Sequence, residues 1–320
     1  MVASTFKELI KNQLPLSITE TNYNIGEKYK GKVRDVYDLE DKLLIIATDR
    51  ISAFDHVLGI IPFKGEILTN LSLFWFENTK DIIKNHVIKQ IHPNAILVQK
   101  CSIIPVEVII RGYLTGGGWR EYSKTGMISG INFPVGLKKD SKFEKPILTP
   151  TTKAKEGHDE SISKEQIIER GIIGKDLMSE IEEISIKLFK RGTEIAKKNN
   201  LILVDTKYEF GLLNDGSLIL ADEVHTSDSS RYWYLDTYED LFNSGKEQRM
   251  LDKEYFRQWL IDHEYIGEGK APELSFEVIT GICEKYLTAY ECITGEKYYL
   301  ENKDAIVTLD EAVKKLKSEL

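Results

Sequence analysis

Residues 201–231, LILVDTKYEFGLLNDGSLILADEVHTSDSSR, decide the fold. Two apolar runs, 201–204 and 217–221, flank an Asn214-Asp215-Gly216 turn signal, and each run borders a cluster of charges. Apolar strands around an Asp-Gly pair predict a β-hairpin carrying a reactive end. With Asp215 and Gly216 as the central turn residues, Glu209 lies opposite Asp222, and directly opposed residues project from one face. The strand period of two adds Asp205 and Lys207 to that face and turns Val204, Thr206, Tyr208 and Phe210 the other way. Two carboxylates beside an ammonium suit a hard divalent cation such as Mg²⁺, completed by phosphate oxygens. A solvated hairpin end with a surface salt bridge is the competing reading of the same pattern. Gly211 is a place where a bulge would shift the register by one.

The segments on either side support this hairpin. A long helix is predicted over 175–199, with Leu177, Ile181, Ile184, Leu188 and Ile195 on one stripe, and it feeds directly into the 201 strand. Before it, Ser163 and Gln166 fit a capping box. After it, helices are predicted over 253–263, 275–290 and 308–320, the last with a Thr308/Glu311 box, and none carries a catalytic constellation.

The N-terminal part reads as a short helix over 5–14 and a strand pair, 32–39 and 42–47, turning at Glu40-Asp41. Gly31 sits between Lys30 and Lys32 at the mouth of that hairpin, either as an ordinary turn or as a loop laid over phosphates. It is not a GxxxxGK[ST] loop, which occurs nowhere in the chain. The segment DRISAFDH, 49–56, is a capped turn or one wall of a polar pocket. A helix follows over 68–83, then strands over 86–91, 95–99 and 105–111. The last strand ends on Arg111, before the glycine-rich GYLTGGGW. That arginine either grips an anion or stacks beneath Trp119. No periodicity runs through 126–147, and the polar stretch 149–160 is either mobile surface or a substrate lid.

The chain has 320 residues, 42% of them hydrophobic and 29% charged, with a net charge of −8 and no extended Lys/Arg run. That balance argues against a nucleic-acid partner and leaves room for small anions in a local positive pocket. Cys101, Cys283 and Cys292 form no CxxC pair and no zinc-ligand spacing, which suggests reduced thiols in a cytoplasmic protein. No run of 18 apolar residues and no signal-peptide pattern appears, so neither a membrane anchor nor export is expected.

GKVRDVYD, DRISAFD, GEILTNLS, EVIIRGYLTG, TPTTKAKEGHDE, LILVDTKYEFG and LADEVHTSDSSR occur here in an order and spacing that resemble the SAICAR synthetase family. The resemblance covers about residues 31–233, and the C-terminal helices are similar to those of the family's longer form. It implies an α+β, two-lobed fold: a kinase-like N-terminal lobe over 1–110, and an ATP-grasp-like C-terminal lobe over 111–320 with a helical tail from about 236. It implies a ligase of purine biosynthesis that uses ATP and Mg²⁺ to join L-aspartate to carboxyaminoimidazole ribonucleotide (CAIR), giving SAICAR, ADP and phosphate through an acyl phosphate.

By the same resemblance Gly31, Lys32, Val33, Arg34 and Glu107 bind ATP, with Lys32 and Arg34 over its phosphates. Glu209 and Asp222 hold Mg²⁺ and act in catalysis with Lys207, which faces the reacting carboxylate. Arg111, Arg231, Ser230 and Gly117 surround the ribonucleotide phosphate, and Asp49, Ser52, Phe54, Asp55 and Asp159 line the pocket for the imidazole and aspartate. Gly117 departs from the family's usual serine, so backbone N–H groups must replace a hydroxyl there. The longer form is compatible with a monomer. A kinase-like phosphotransferase is the alternative enzyme, but no HRD-like loop is present; a nucleotide-binding protein without turnover is the non-enzymatic one.

Overall fold

The computed structural model describes residues 2–153, 160–251 and 254–320. In chain order the first elements are α1 (Val2–Gln13), β1 (Glu27–Lys30), β2 (Arg34–Leu39), β3 (Lys42–Ala47), β4 (Arg50–Ala53), β5 (His56–Ile60) and α2 (Lys64–Thr79). Next come β6 (Val87–His92), β7 (Ala95–Gln99), β8 (Ser102–Ile103), β9 (Val106–Tyr113), α3 (Gly116–Thr125), β10 (Met127–Ile128), β11 (Ile131–Asn132), β12 (Lys142–Leu148) and β13 (Thr151–Thr152). They are followed by α4 (Lys164–Glu169), α5 (Lys175–Lys198), β14 (Leu201–Leu212), β15 (Leu218–Ala221), β16 (Ser230–Tyr234) and α6 (Leu235–Asn243). The chain ends with α7 (Glu254–Asp262), α8 (Phe276–Thr294) and α9 (Ala305–Glu319).

Two compact units divide these elements. The first contains residues 1–74, 86–100 and 252–320, and the second contains 75–85 and 101–251. A cut at residue 110 is therefore not where the units divide. Residues 101–110 go with the second unit because β8 and β9 pair with β14. The C-terminal helices go with the first because Leu309, Val313 and Leu316 of α9 share a core with its sheet.

The first unit is built on an antiparallel sheet of order β1-β2-β3-β7-β6. Alternation in β2 and β3 buries Tyr37, Leu39, Leu44 and Ile46, and Ala95 and Leu97 of β7 join them against Ile18 and α9. Helix α9 starts earlier than the Thr308 signal predicts, because Asp304 takes the cap and accepts the Val307 N–H at 3.0 Å.

The second unit has a seven-stranded sheet whose main path is β12-β9-β14-β15, with β13 on β9 and both β16 and β8 on β14. Strand β14 is thus its organising element. Val204, Tyr208 and Phe210 are wholly buried on one side of it, and α5 packs against it with Gly192 close to Leu203. The capping box predicted at Ser163 and Gln166 is present in both its bonds. The 126–147 stretch is less irregular than its pattern implies: β12 pairs with β9 there through a bulge.

Candidate active site

The hairpin formed by β14 and β15 carries one more turn residue than its Asp-Gly signal implies. Gly216 donates to the Leu213 carbonyl at 2.9 Å, and Leu213 N–H donates to Ser217 at 3.0 Å. Asn214 and Asp215 are therefore the central residues, and Gly216, with φ of +81°, is a left-handed bulge after them. Glu209 consequently faces Ala221 and not Asp222. Asp222 falls just beyond β15 with φ of +61°, so its side chain reaches the cluster from a turn and not from a strand.

The cluster forms around Lys207. Its Nζ donates to Glu209 Oε1 at 2.7 Å and to Glu107 Oε1 at 2.9 Å, while Lys153 Nζ lies 2.5 Å from Glu209 Oε2. Burial, the largest single influence, disfavours the Lys207 ammonium. The charges of Glu209, Asp222 and Glu107 outweigh it and hold the pKa well above its ordinary value. Lys207 therefore stands in this cluster as an ammonium balanced by its acidic neighbours. Among the described residues no three His, Cys, Asp or Glu side chains form a complete metal cage. One or two carboxylates plus phosphate oxygens is the donor set Mg²⁺ takes beside a nucleotide, and Glu209 with Asp222 fit it.

Two residues back along β14, Asp205 joins two arginines. It stands opposite Arg111 on β9 and opposite Arg231 on β16, so strand register alone brings both guanidiniums to it. Asp205 Oδ2 accepts from Arg111 Nη1 at 3.0 Å and from Arg231 Nη1 at 2.5 Å, and Arg111 Nε donates to Thr149 Oγ1 at 2.9 Å. Burial lowers the Arg111 pKa, and the Arg231 charge adds to that against the pull of Asp205. Helix α3 begins beside the pair. A Cβ on Gly116, whose φ is +53°, would lie 2.5 Å from Arg231 Nη1, whereas one on Gly117 would sit 3.6 Å from Arg111 Nη2. The Thr115 side chain makes no cap bond to this helix. Paired guanidiniums at a glycine-opened helix N-terminus have the chemistry to take an anion. Arg111 is held here by Asp205 and Thr149, and among the described residues no contact stacks it beneath Trp119. Ser230 is less available than its motif suggests, since its buried hydroxyl donates to Thr206 Oγ1 at 2.7 Å.

In the first unit, Gly31, Lys32 and Val33 connect β1 to β2, and Gly31 N–H donates to the Arg34 carbonyl at 2.8 Å. A Cβ at Gly31 would lie 3.1 Å from that carbonyl, which explains the glycine. Buried Arg50 pins the turn, donating to the carbonyls of Gly31 and Lys32 at 2.9 Å each and to Asp35 Oδ1 at 2.8 Å. The Lys32 ammonium pairs with Asp55 at the tip of the β4–β5 hairpin, where Phe54 and Asp55 both have positive φ. Phe54 packs edge-on to Tyr265, and Ser52 is half-buried on β4. Asp49 belongs to the scaffold: it is 2% exposed, and its oxygens accept the N–H groups of Ile18 at 2.9 Å and Gly65 at 3.0 Å. Burial pushes its pKa up to about 6. Asp159 lies outside the described residues.

A SAICAR synthetase family model matches residues 27–274, well over half the chain. The chain belongs to the SAICAR synthetase family. Among relatives, the phosphoribosylaminoimidazole-succinocarboxamide synthase of Legionella pneumophila (strain Paris) is 43% identical over 295 residues, covering 90% of this chain and 94% of that one. The synthase of the same name from Bacteroides thetaiotaomicron is 45% identical over 300 residues, with 91% and 95% covered. A solved SAICAR synthase from Saccharomyces cerevisiae, complexed with SAICAR, superposes with a TM-score of 0.79 at 37% identity and covers 89% of this chain and 100% of its own. A SAICAR synthetase in complex with ADP superposes with a TM-score of 0.66 at 29% identity over 86% of this chain and 100% of its own.

The mixed helix and sheet architecture is that of the SAICAR synthetase family. Sequence reasoning overlooked Asp205, Lys153 and Arg50 as site-forming residues. Asp205 stood on the face already assigned to the cluster, so its pairing with arginines was within reach. Lys153 and Arg50 act through partners far away in the chain, and no local pattern marks them.

Proposed function

We propose that the chain is the ATP-dependent ligase that joins L-aspartate to CAIR, releasing SAICAR, ADP and phosphate. The observation that carries this reading is the layout of β14. Asp205, with its two arginines, and Lys207, with its acidic partners, are two residues apart, about 7 Å along one strand. One strand thereby offers an anion grip at a fixed distance from a charge-stabilising cluster. The names of the relatives and the SAICAR and ADP complexes of the solved neighbours support the same substrates.

The residue types suit the chemistry. A carboxylate is a poor acylating agent, so an oxygen of the CAIR carboxylate attacks the γ-phosphorus of ATP and ADP departs. The aspartate amine then attacks the carbonyl of the resulting acyl phosphate, loses a proton and displaces phosphate. Phosphoryl transfer of this kind is mostly positioning and charge neutralisation. Glu209 and Asp222 would hold Mg²⁺, which would supply charge neutralisation for phosphoryl transfer. Lys207 lies against the reacting carboxylate and stabilises charge there. Arg111 and Arg231 hold the ribonucleotide phosphate, with backbone N–H groups at Gly117 taking the role of the absent serine hydroxyl. Lys32 and Arg34 lie over the ATP phosphates, and Glu107 orients Lys207. Within the polar stretch 149–160, Thr151–Thr152 pair with β9, and residues 154–159 lie outside the described residues. The proposed reaction takes small-molecule substrates and, as a step of purine biosynthesis, belongs to the cytoplasm. No described helix is long and apolar enough to cross a membrane.

The test is ADP release by the purified chain with ATP and Mg²⁺. Release that requires both L-aspartate and CAIR is the expected result. Release with either one absent, or phosphate transferred to a hydroxyl and retained there, sinks the ligase reading.

A further inference from the structure

Behind the Lys207 cluster lies a second group of polar side chains that the reaction does not use. Tyr208 sits between Lys207 and Glu209 on β14, and its side chain points to the opposite, wholly buried face. There its hydroxyl bonds His225 Nε2 at 2.5 Å. His225 is itself fully buried, three residues after Asp222, in the connection between β15 and β16. Tyr232 on β16 donates its hydroxyl to the His225 carbonyl at 2.7 Å, and the imidazole meets Trp75 edge-on at 4.7 Å. Helix α5 makes room for the ring with a glycine: a Cβ on Gly192 would lie 2.3 Å from His225 Cε1. The imidazole is thus enclosed by two strands and two helices.

The backbone of this connection needs such an anchor. Asp222 and His225 have φ of +61° and +50°, the left-handed region that residues other than glycine rarely occupy. Strained residues persist only where surrounding contacts over-determine them. Between and after them, Thr226 Oγ1 donates to Glu223 Oε2 at 2.5 Å and accepts the Ser229 N–H at 3.2 Å, which makes the connection a stiff unit. His225 is where that unit is fastened to β14.

We infer that Tyr208 and His225 are positioning residues for Asp222: their bond ties the strand that presents Lys207 and Glu209 to the turn that presents Asp222, and so fixes the spacing of the two metal-binding carboxylates. Neither side chain touches substrate or metal. The inference rests on the proposed role of Glu209 and Asp222 as Mg²⁺ ligands, and a buried bond opposite a functional cluster is how such geometry is held within the tolerance that metal ligation demands.

The test uses the full chain, with Mn²⁺ as the probe, titrated calorimetrically in the presence of ADP; thermal melting monitors the fold. Tyr208→Phe is expected to stay folded and bind Mn²⁺ about five- to tenfold more weakly, the scale of one lost buried hydrogen bond. The paired variant Tyr208→Phe/His225→Leu removes both polar groups and leaves none unsatisfied, so it should melt closer to the unaltered chain while Mn²⁺ binding stays weak. His225→Gln, which keeps a polar partner for Tyr208, should retain more affinity than His225→Leu. Undiminished Mn²⁺ affinity in the folded paired variant overturns the inference and leaves the ligase reading standing. Failure of the unaltered chain to bind Mn²⁺ with ADP overturns the metal assignment and the inference together.

Discussion

Asp205 and Asp222 are both acidic and both border β14, yet they do different work. Asp205 is buried between two guanidiniums, and removing its charge leaves two like charges facing each other in a poorly solvated place. Asp205→Ala should cost about 3 kcal/mol in unfolding free energy and raise KM for CAIR more than it lowers kcat; a change in kcat alone contradicts a grip on the ribonucleotide. Asp222 sits at a turn where its charge acts on Lys207, and the proposed reaction would draw on that charge. Asp222→Asn should fold normally and lose about two to three orders of magnitude in turnover. Near-normal turnover would remove Asp222 from the metal site.

At the scale of elements, the start of α3 is the most sensitive junction. Gly116 combines a left-handed φ with a Cβ position inside the contact distance of Arg231, so Gly116→Ala should displace that guanidinium and weaken CAIR binding, read as a higher KM. Gly117→Ser should be tolerated, because its Cβ meets Arg111 and Arg120 only at 3.6 and 3.8 Å. Equal harm from both substitutions would show that the two glycines are needed for chain flexibility and not for the anion site. The same junction shows the limit of pattern reading. GYLTGGGW signalled close backbone approach, but three glycines in a first turn do not look like a helix, and only the packing of Tyr122 with Leu114, Ile128 and Phe143 makes one. The β14–β15 hairpin was legible as a hairpin, and its register slipped by one because a single φ at Gly216 decides between two turn types with the same residues. The bounds of α5 were legible almost to the residue, but its buried face is set to one side of the stripe read from the sequence: Ile181 and Leu188 are joined there by Met178, Ser185, Phe189, Gly192 and Ala196, while Leu177, Ile184 and Ile195 are half-buried.

Across the whole chain, the first unit carries buried carboxyl groups whose protonation couples to stability. Burial, then the charge of Asp49, pushes the Glu66 pKa up to about 7 from an ordinary 4.5. A carboxyl raised in the folded state binds its proton more tightly there. Its contribution is therefore complete below about pH 4.5 and lost as pH rises through 7. Buried His225, depressed to about 3 from 6.5, works in the other direction and withdraws stability as pH falls below 6.5. Glu66 should lower denaturant midpoints as pH rises from about 4.5 to 7, and Glu66→Gln should remove that component of the slope; an unchanged slope in the variant contradicts the assignment. None of this was visible in the sequence, where Glu66 is one of many exposed-looking acids. The ordered motifs around residues 31–233 nevertheless exposed the family, whose model matches residues 27–274. The charge pairs that join Lys207, Asp205 and Arg50 to their partners depend on tertiary structure and did not.

The central claim is that ATP activates the CAIR carboxylate before aspartate attacks. CAIR labelled with ¹⁸O in that carboxylate tests it directly. The account predicts that one labelled oxygen appears in the phosphate released with each SAICAR; phosphate free of label, from a reaction that still forms SAICAR, would contradict it.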